Sequence, residues 1–263
     1  MEIIEQLPQF RSRFKNWNGR ENLAGYPFIE NVHAPLTPLR RALPMLNLGL
    51  ISSAGGYIDG TEPFDTQAAG GDASVREIPI EVEAEDIKYA AKGYDAAAVI
   101  ADRNAQVPID RLREYEENAV IGRLNEVWWS LSSYTPDAAA IAETAVPHIV
   151  ERLKRYSVNA ALLVPATRLC HQTLGIIARG IEDSGISTVM IAVETAIPLM
   201  VRPPRTTYYD GEIGSVAGKP GWPQYQRRIL DETLRSMETF DQPGVRKLVV
   251  ELETAVETAR GER

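Results

Sequence analysis

The stretch Asn159-Ala-Ala-Leu-Leu-Val-Pro165-Ala-Thr167-Arg168-Leu-Cys170-His171-Gln172-Thr173-Leu-Gly175, carried on by residues 176–185 and by Ile186-Ser-Thr-Val-Met190, decides the fold class. Residues 160–164 are short and continuously apolar, as a strand of a parallel sheet covered on both faces must be. Pro165 stops the strand. From Cys170 onward, Leu174, Ile177, Ala178 and Ile181 recur at helical spacing, and Ser184-Gly185 closes the helix. Residues 186–193 read as the next strand. Strand, turn, helix and strand in this order predict an α/β fold: a mostly parallel open sheet with flanking helices, Rossmann-like or doubly wound, as one unit or as two lobes.

This reading puts Cys170, the only cysteine, at a helix N-terminus just past the C-terminal end of a strand. Open α/β sheets bind their ligands at that edge. Free amides and the dipole at a helix start favour a thiolate, and comparable sites lower a cysteine pKa from about 8.5 toward roughly 3.5 to 7.5. Arg168 and His171 add positive or polarisable groups, and Thr167 and Thr173 add hydroxyls. The competing reading is a small buried apolar residue, since free cysteines are among the most buried types.

Composition bounds the class. The chain has 263 residues, 44% hydrophobic and 24% charged, enough for a sizeable core. A net charge of -8 argues against a nucleic-acid surface. One cysteine excludes an intramolecular disulfide. The N-terminus lacks the basic segment and apolar run of a signal peptide, and no stretch approaches the roughly 18 apolar residues of a membrane helix. A cytoplasmic protein without membrane contact is expected. His33, His148 and His171 form no ligand pair at usable spacing, so neither a metal nor any other cofactor is expected.

Along the chain, residues 2–17 read as an amphipathic helix, and residues 37–43 as a short helix capped by Thr37. Residues 46–51 read as a buried strand followed by Ser52-Ser53-Ala54-Gly55-Gly56, small residues that allow close backbone approach. The loop over 59–73 is long enough to be functional. A short strand is expected at 77–81, another strand at 94–100 with Asp102 and Asn104 at its edge, and a helix at 108–118. A strand at 127–131, a long helix from 137 to about 156 interrupted at Pro147, an extended segment at 202–211, and helices at 226–237 and 243–260 complete the reading. Arg202 and Arg205 could clamp an anion, although solvated arginines are the commoner case.

Several motifs taken together resemble the selenoprotein B family of glycine, sarcosine, betaine and D-proline reductases. They are residues 48–56; Glu62-Pro63-Phe64-Asp65; Gly71-Asp72-x-Ser74-x-Arg76-x-Ile78-Pro79; Tyr94-Asp95; Asp102-x-Asn104; Pro108-x-Asp110-Arg111-Leu112; and Val120-Ile121-Gly122. Cys170-His171-Gln172-Thr173, Pro204-Arg205, Gly218-x-Pro220-Gly221 and Gln226 follow in order. The likeness covers roughly residues 45–238. It implies an α/β domain over 45–240 (if two lobes, split near 130–157), after an N-terminal helical segment (1–44) and before a C-terminal helix (241–263). In that family a selenocysteine or cysteine stands three residues before the position of Cys170, and pyruvoyl-bearing subunits are separate chains. Here that position is Thr167, whose hydroxyl is no redox nucleophile.

Three readings follow. The first is a thiol-dependent oxidoreductase in which Cys170 attacks, Thr167 and Thr173 orient it, and His171 is its hydrogen-bond partner or proton donor. A small polar substrate, expected to be anionic, would lie against Ser52, Gly55, Gly56, Asp72, Ser74, Arg76, Asp102, Asn104, Gln172 and Thr173. Candidate partners are a thiol reductant protein, a partner subunit or a second copy of the chain. The second reading is a redox-inactive relative acting as a small-molecule-binding or complex-forming subunit in a specialised pathway. The third is a thiol-independent lyase or isomerase on the same scaffold.

Overall fold

A computed structural model of the chain describes residues 2–20 and 22–250. In chain order the regular elements are α1 (Leu7–Lys15), β1 (Asn47–Ser52), β2 (Gly56–Ile58), β3 (Val75–Pro79), β4 (Ile87–Tyr89), α2 (Ala97–Ala101), α3 (Ile109–Glu117) and β5 (Arg123–Leu124). There follow β6 (Val127–Leu131), α4 (Ala138–Ala140), α5 (Val146–Arg155), β7 (Ala160–Val164), α6 (Arg168–Asp183), β8 (Ser187–Ala192), α7 (Ala196–Val201), β9 (Arg205–Tyr208), α8 (Pro223–Thr239) and β10 (Gly244–Lys247).

One sheet runs in the order β10, β9, β8, β7, β1, β6, β3, with β5 pairing the start of β1 beside β6. Every pairing is parallel except β3 against β6. β2 and β4 form a separate antiparallel pair. The pleat sends alternate side chains to opposite faces. Leu48, Leu50, Leu162, Val164, Val189 and Ile191 pack with α3 and α8 on one face. Ile51, Trp129, Ala161, Leu163 and Met190 pack with α5, α6 and α7 on the other. This is the expected α/β architecture, a largely parallel sheet flanked by helices. No helix among the described residues is long and apolar enough to cross a membrane.

Several local expectations are corrected. Residues 97–101 are helical rather than extended, since a short apolar run of alanine, valine and isoleucine fits either state. Gly244–Lys247 is a strand hydrogen-bonded to β9, not part of a helix; from residue 251 the expected C-terminal helix lies outside the described residues. Residues 37–42 are not helical, and a short 3-10 turn begins only at Leu43 (Leu43–Met45); Thr37 donates its amide and hydroxyl to Glu182 instead of capping. In the long helix the irregularity falls at Ile141–Ala145, a widened π turn, and Pro147 sits harmlessly in the first turn of α5.

Helix α6 is buried along its whole length from Leu169 to Glu182. It lies so close to α5 that a Cβ at Gly180 would stand 2.2 Å from a Val146 methyl. Burial on all sides obliges its polar side chains to find protein partners, and these come from the N-terminal segment. Gln172 accepts from the Ile29 amide (2.8 Å) and donates to the Tyr26 hydroxyl (2.7 Å). Arg179, fully buried, donates to the carbonyls of Ile3, His33 and Glu2. Glu182 accepts from the Thr37 amide, from Thr188 and from Arg205 Nη1 at 2.5 Å. Arg205 is thus not an anion clamp; its charge is held inside by Glu182.

Removing one partner of such a pair leaves the other charge buried alone. Glu182→Gln is expected to cost about 3 to 5 kcal/mol, seen in thermal denaturation as a midpoint lowered by about 10 °C. The double change Glu182→Gln with Arg205→Met, which removes the stranded charge and keeps an acceptor for the Thr37 and Thr188 amides, should recover part of that loss; a single variant as stable as the parent would contradict the pairing.

Candidate functional site

Counting outward from β1, the chain first builds one side of the sheet with β3 and β6 and then crosses to the other with β7 to β10. The reversal falls between β1 and β7, and the crevice beyond their C-terminal ends is where such folds place ligands. Three turns meet there: residues 52–56 after β1, 132–135 after β6 and 165–170 after β7. The Ser53 amide donates to Val164 O (3.3 Å), and Ser53 Oγ accepts from the Ala166 amide (3.1 Å). The Gly55 amide donates to Leu131 O (2.9 Å). Gly55 has φ +72°, and a Cβ there would lie 2.6 Å from Ala90 O, so the close approach predicted for this turn is to the chain's own backbone.

Thr167 caps α6. Its Oγ1 accepts from the Cys170 amide at 3.0 Å and donates to Ser133 O at 3.3 Å. Cys170 Sγ lies 3.3 Å from Ser133 O and 3.7 Å from Ser53 O, and the residue is 1% exposed. Two carbonyl acceptors suit a neutral S–H and repel a thiolate. Burial pushes the thiol pKa up, against the pull of Ser53 and Thr167. Desolvation thus opposes the lowering expected from the helix start. Tyr94 closes the same region, donating to Ala54 O at 2.7 Å, and burial raises its phenol.

His171 points away from this chemistry. Its Nδ1–H donates to Thr167 O (2.8 Å) and its Nε2 accepts from the Val193 amide (3.3 Å), so both ring nitrogens are occupied and the ring is neutral. Complete burial lowers its pKa to about 4.

The other predicted contacts do not gather round Cys170. Ser52 Oγ donates to the carbonyls of Gln106 and Val164. Gly56 opens β2, packed over Trp128. Asp72 accepts from the amides of Ser74 and Asp65; although burial raises its pKa, these bonds and Arg76 hold the carboxyl below the ordinary range. Ser74 accepts from Arg76, whose guanidinium lies over Phe64. Asp102 accepts from Asn104, Gly221 and Gln226, which outweigh its burial and lower its pKa. Asn104 bonds Asp102 and Asp110. Gln172 faces the N-terminal segment, and Thr173 donates back to Leu169 O. Ser53, Ser133 and Tyr94 do touch the thiol's surroundings; Ser53 and Tyr94 lie in family-like motifs, whereas only its place just past β6 could have marked Ser133. Glu194, just past β8, is a half-buried carboxyl raised by desolvation, another group without a motif. Behind Ser133 and Gly93, next in the chain to Tyr134 and Lys92, a groove of about 600 Å3 opens between residues 67–70 and the N-terminal segment.

Comparison with known proteins places the chain in a family. The sequence model of glycine/sarcosine/betaine reductase selenoprotein B matches residues 64–166. A D-proline reductase subunit gamma of Acetoanaerobium sticklandii is 30% identical over 211 residues, 79% of this chain and 85% of that protein. The chain belongs to the reductase selenoprotein B family. A glycine reductase complex component B subunit gamma of Symbiobacterium thermophilum is 26% identical over 213 residues, 80% of this chain and 49% of its own length. A betaine reductase complex component B subunit beta of Peptoclostridium acidaminophilum is 31% identical over 99 residues, 38% of this chain and 22% of that protein. No solved structure matches.

The buried imidazole makes a pH prediction. The folded chain refuses a proton that the unfolded chain accepts below its ordinary pKa of 6.5. Stability should then fall as the pH drops from 6.5 toward about 4, by on the order of 3 kcal/mol. His171→Gln should flatten this limb in urea unfolding across the window and leave the further loss below the carboxylate range. A parent midpoint that does not move there would overturn the assignment.

Proposed function

We propose that this chain is a complex-forming subunit of a multi-component reductase of the selenoprotein B family, and that its own thiol is not a nucleophile in the resting state. The observation that carries the reading is the pairing of Thr167 with an enclosed Cys170. The family resemblance puts a selenocysteine or cysteine at position 167; here a hydroxyl stands there, engaged at both its acceptor and its donor. The remaining thiol is 1% exposed, faces two carbonyls, and has no base within hydrogen-bond reach among its described partners. Redox-active groups would come from partner chains, as the relatives' names as complex subunits suggest.

A second reading, thiol-dependent chemistry at Cys170, draws on the thiol's place in the first turn of α6 at the C-terminal crevice. It would require the turns around Ser53, Ser133 and Gly93 to part and expose the sulfur.

Alkylation separates the two. In native protein at neutral pH, iodoacetamide should modify Cys170 at least about 100-fold more slowly than in denaturant, because reaction waits on opening of the packed crevice. A native reaction as fast as the denatured one, with a midpoint below about 8.5, would favour the thiolate and sink the first reading. Co-expression with the products of adjacent genes tests the subunit role: a stable heteromeric complex is expected on size exclusion, and a chain that always elutes alone counts against it.

A further inference from the structure

The groove of about 600 Å3 behind the crevice has a composition that the subunit role does not explain. One wall is aromatic and belongs to the N-terminal segment. Phe14 and Trp17 stack at 6.0 Å, Trp17 stands edge-on to Tyr26 at 5.1 Å, and the Trp17 indole N–H is fixed on Ala24 O at 3.2 Å. These rings are held in place before any ligand arrives, which lowers the entropy cost of binding against them. The lining also holds Lys92, whose Nζ lies 4.0 Å from the centre of the Tyr134 ring and donates to Thr66 O at 2.8 Å. No carboxylate among the described residues lies within 4 Å of that ammonium. One of its three donors is used, and two are left for a ligand.

The rest of the lining sets size and orientation. Gly70 contributes no side chain, and Gly71 (φ +73°) brings the loop so close to residue 134 that a Cβ would stand 2.4 Å from Tyr134 O. Asp137, also in the lining, has Oδ1 occupied by the Ala139 and Ala140 amides as the cap of α4, yet its charge repels an anion. The volume suits a ring-sized ligand and leaves a two-carbon amino acid loose in it.

We propose that this groove binds a carboxylate attached to an aromatic or similarly flat apolar ring. The carboxylate pairs with Lys92 and lies away from Asp137, and the ring lies on Trp17 and Phe14. The assignment goes beyond the subunit role and does not depend on it, since neither a reactive nor an unreactive Cys170 alters the lining.

The test is calorimetric titration of the full chain with phenylacetate, with glycine and benzyl alcohol alongside. Saturable binding of phenylacetate is expected, with glycine and benzyl alcohol at least about tenfold weaker. Lys92→Met should weaken phenylacetate about tenfold or more while Lys92→Arg stays within a few-fold, and Trp17→Ala should weaken it as well. A parent chain that does not bind phenylacetate, or binds glycine equally well, overturns the proposal. So does a folded Lys92→Met chain that binds undiminished. Should either variant fail to fold, shifts of the Trp17 indole N–H resonance on adding phenylacetate to the parent chain decide instead: movement supports the site and none rejects it. Alkylation of Cys170 reports on the other reading separately.

Discussion

Helix α6 carries Gln172, Arg179 and Glu182 into an interior where none of them reaches water, and this shapes the molecule around it. An unpaired buried amide or charge costs more than most single contacts return. The segment before β1 contributes to each of the three: Tyr26 and Ile29 to Gln172, Glu2, Ile3 and His33 to Arg179, and Thr37, beside Thr188 and Arg205, to Glu182. The N-terminal segment is therefore the hydrogen-bond complement of the central helix. Its apolar residues Ile4, Phe10, Tyr26 and Ile29 then close the core on that face of the sheet. Burial lowers the Arg179 pKa to about 10, which leaves it charged at neutral pH and makes its carbonyl cage obligatory.

The same constraint explains the crevice. A helix start in water tolerates free amides; one under a lid of three turns does not. Thr167 Oγ1 takes the Cys170 amide, Ser53 Oγ takes the Ala166 amide just before the helix, and Ser133 O accepts from both the Thr167 hydroxyl and Cys170 Sγ. A helix dipole is worth up to about 2 kcal/mol in partly buried geometry, whereas full desolvation can move a pKa by about 3 to 5 units. The two pull the Cys170 thiol in opposite directions, and burial sets the net direction upward.

The central strand–helix–strand unit was legible because its signals are local: five apolar residues in β7, helical spacing in α6, a glycine at its end. So was Cys170 at the helix start. Less was legible wherever the deciding partner is remote in sequence. Asp102 and Asn104 have the look of edge ligands, but Gln226 and Asp110 take up their hydrogen bonds. Arg205 has the look of an anion clamp, but Glu182 lies beneath it. β10 is four residues without a buried position, and only the open edge of β9 makes it a strand. Ser133 and Lys92 carry no motif, and their role follows from which turns the sheet order brings together.

Position 167 faces two incompatible demands. The Cys170 amide is buried and needs a strong acceptor three residues before it. Threonine is among the preferred caps, with losses of about 0.5 to 2 kcal/mol when such a cap is removed. Sulfur is a weak acceptor, so a soft nucleophile at this position caps poorly and a good cap does not react. Where the helix behind it carries five buried polar side chains (His171, Gln172, Thr173, Arg179 and Glu182) and the crevice above it is packed shut, the balance in this chain has gone to the cap. On the subunit reading proposed above, a chain so built would leave the electron-transfer chemistry to its partner chains.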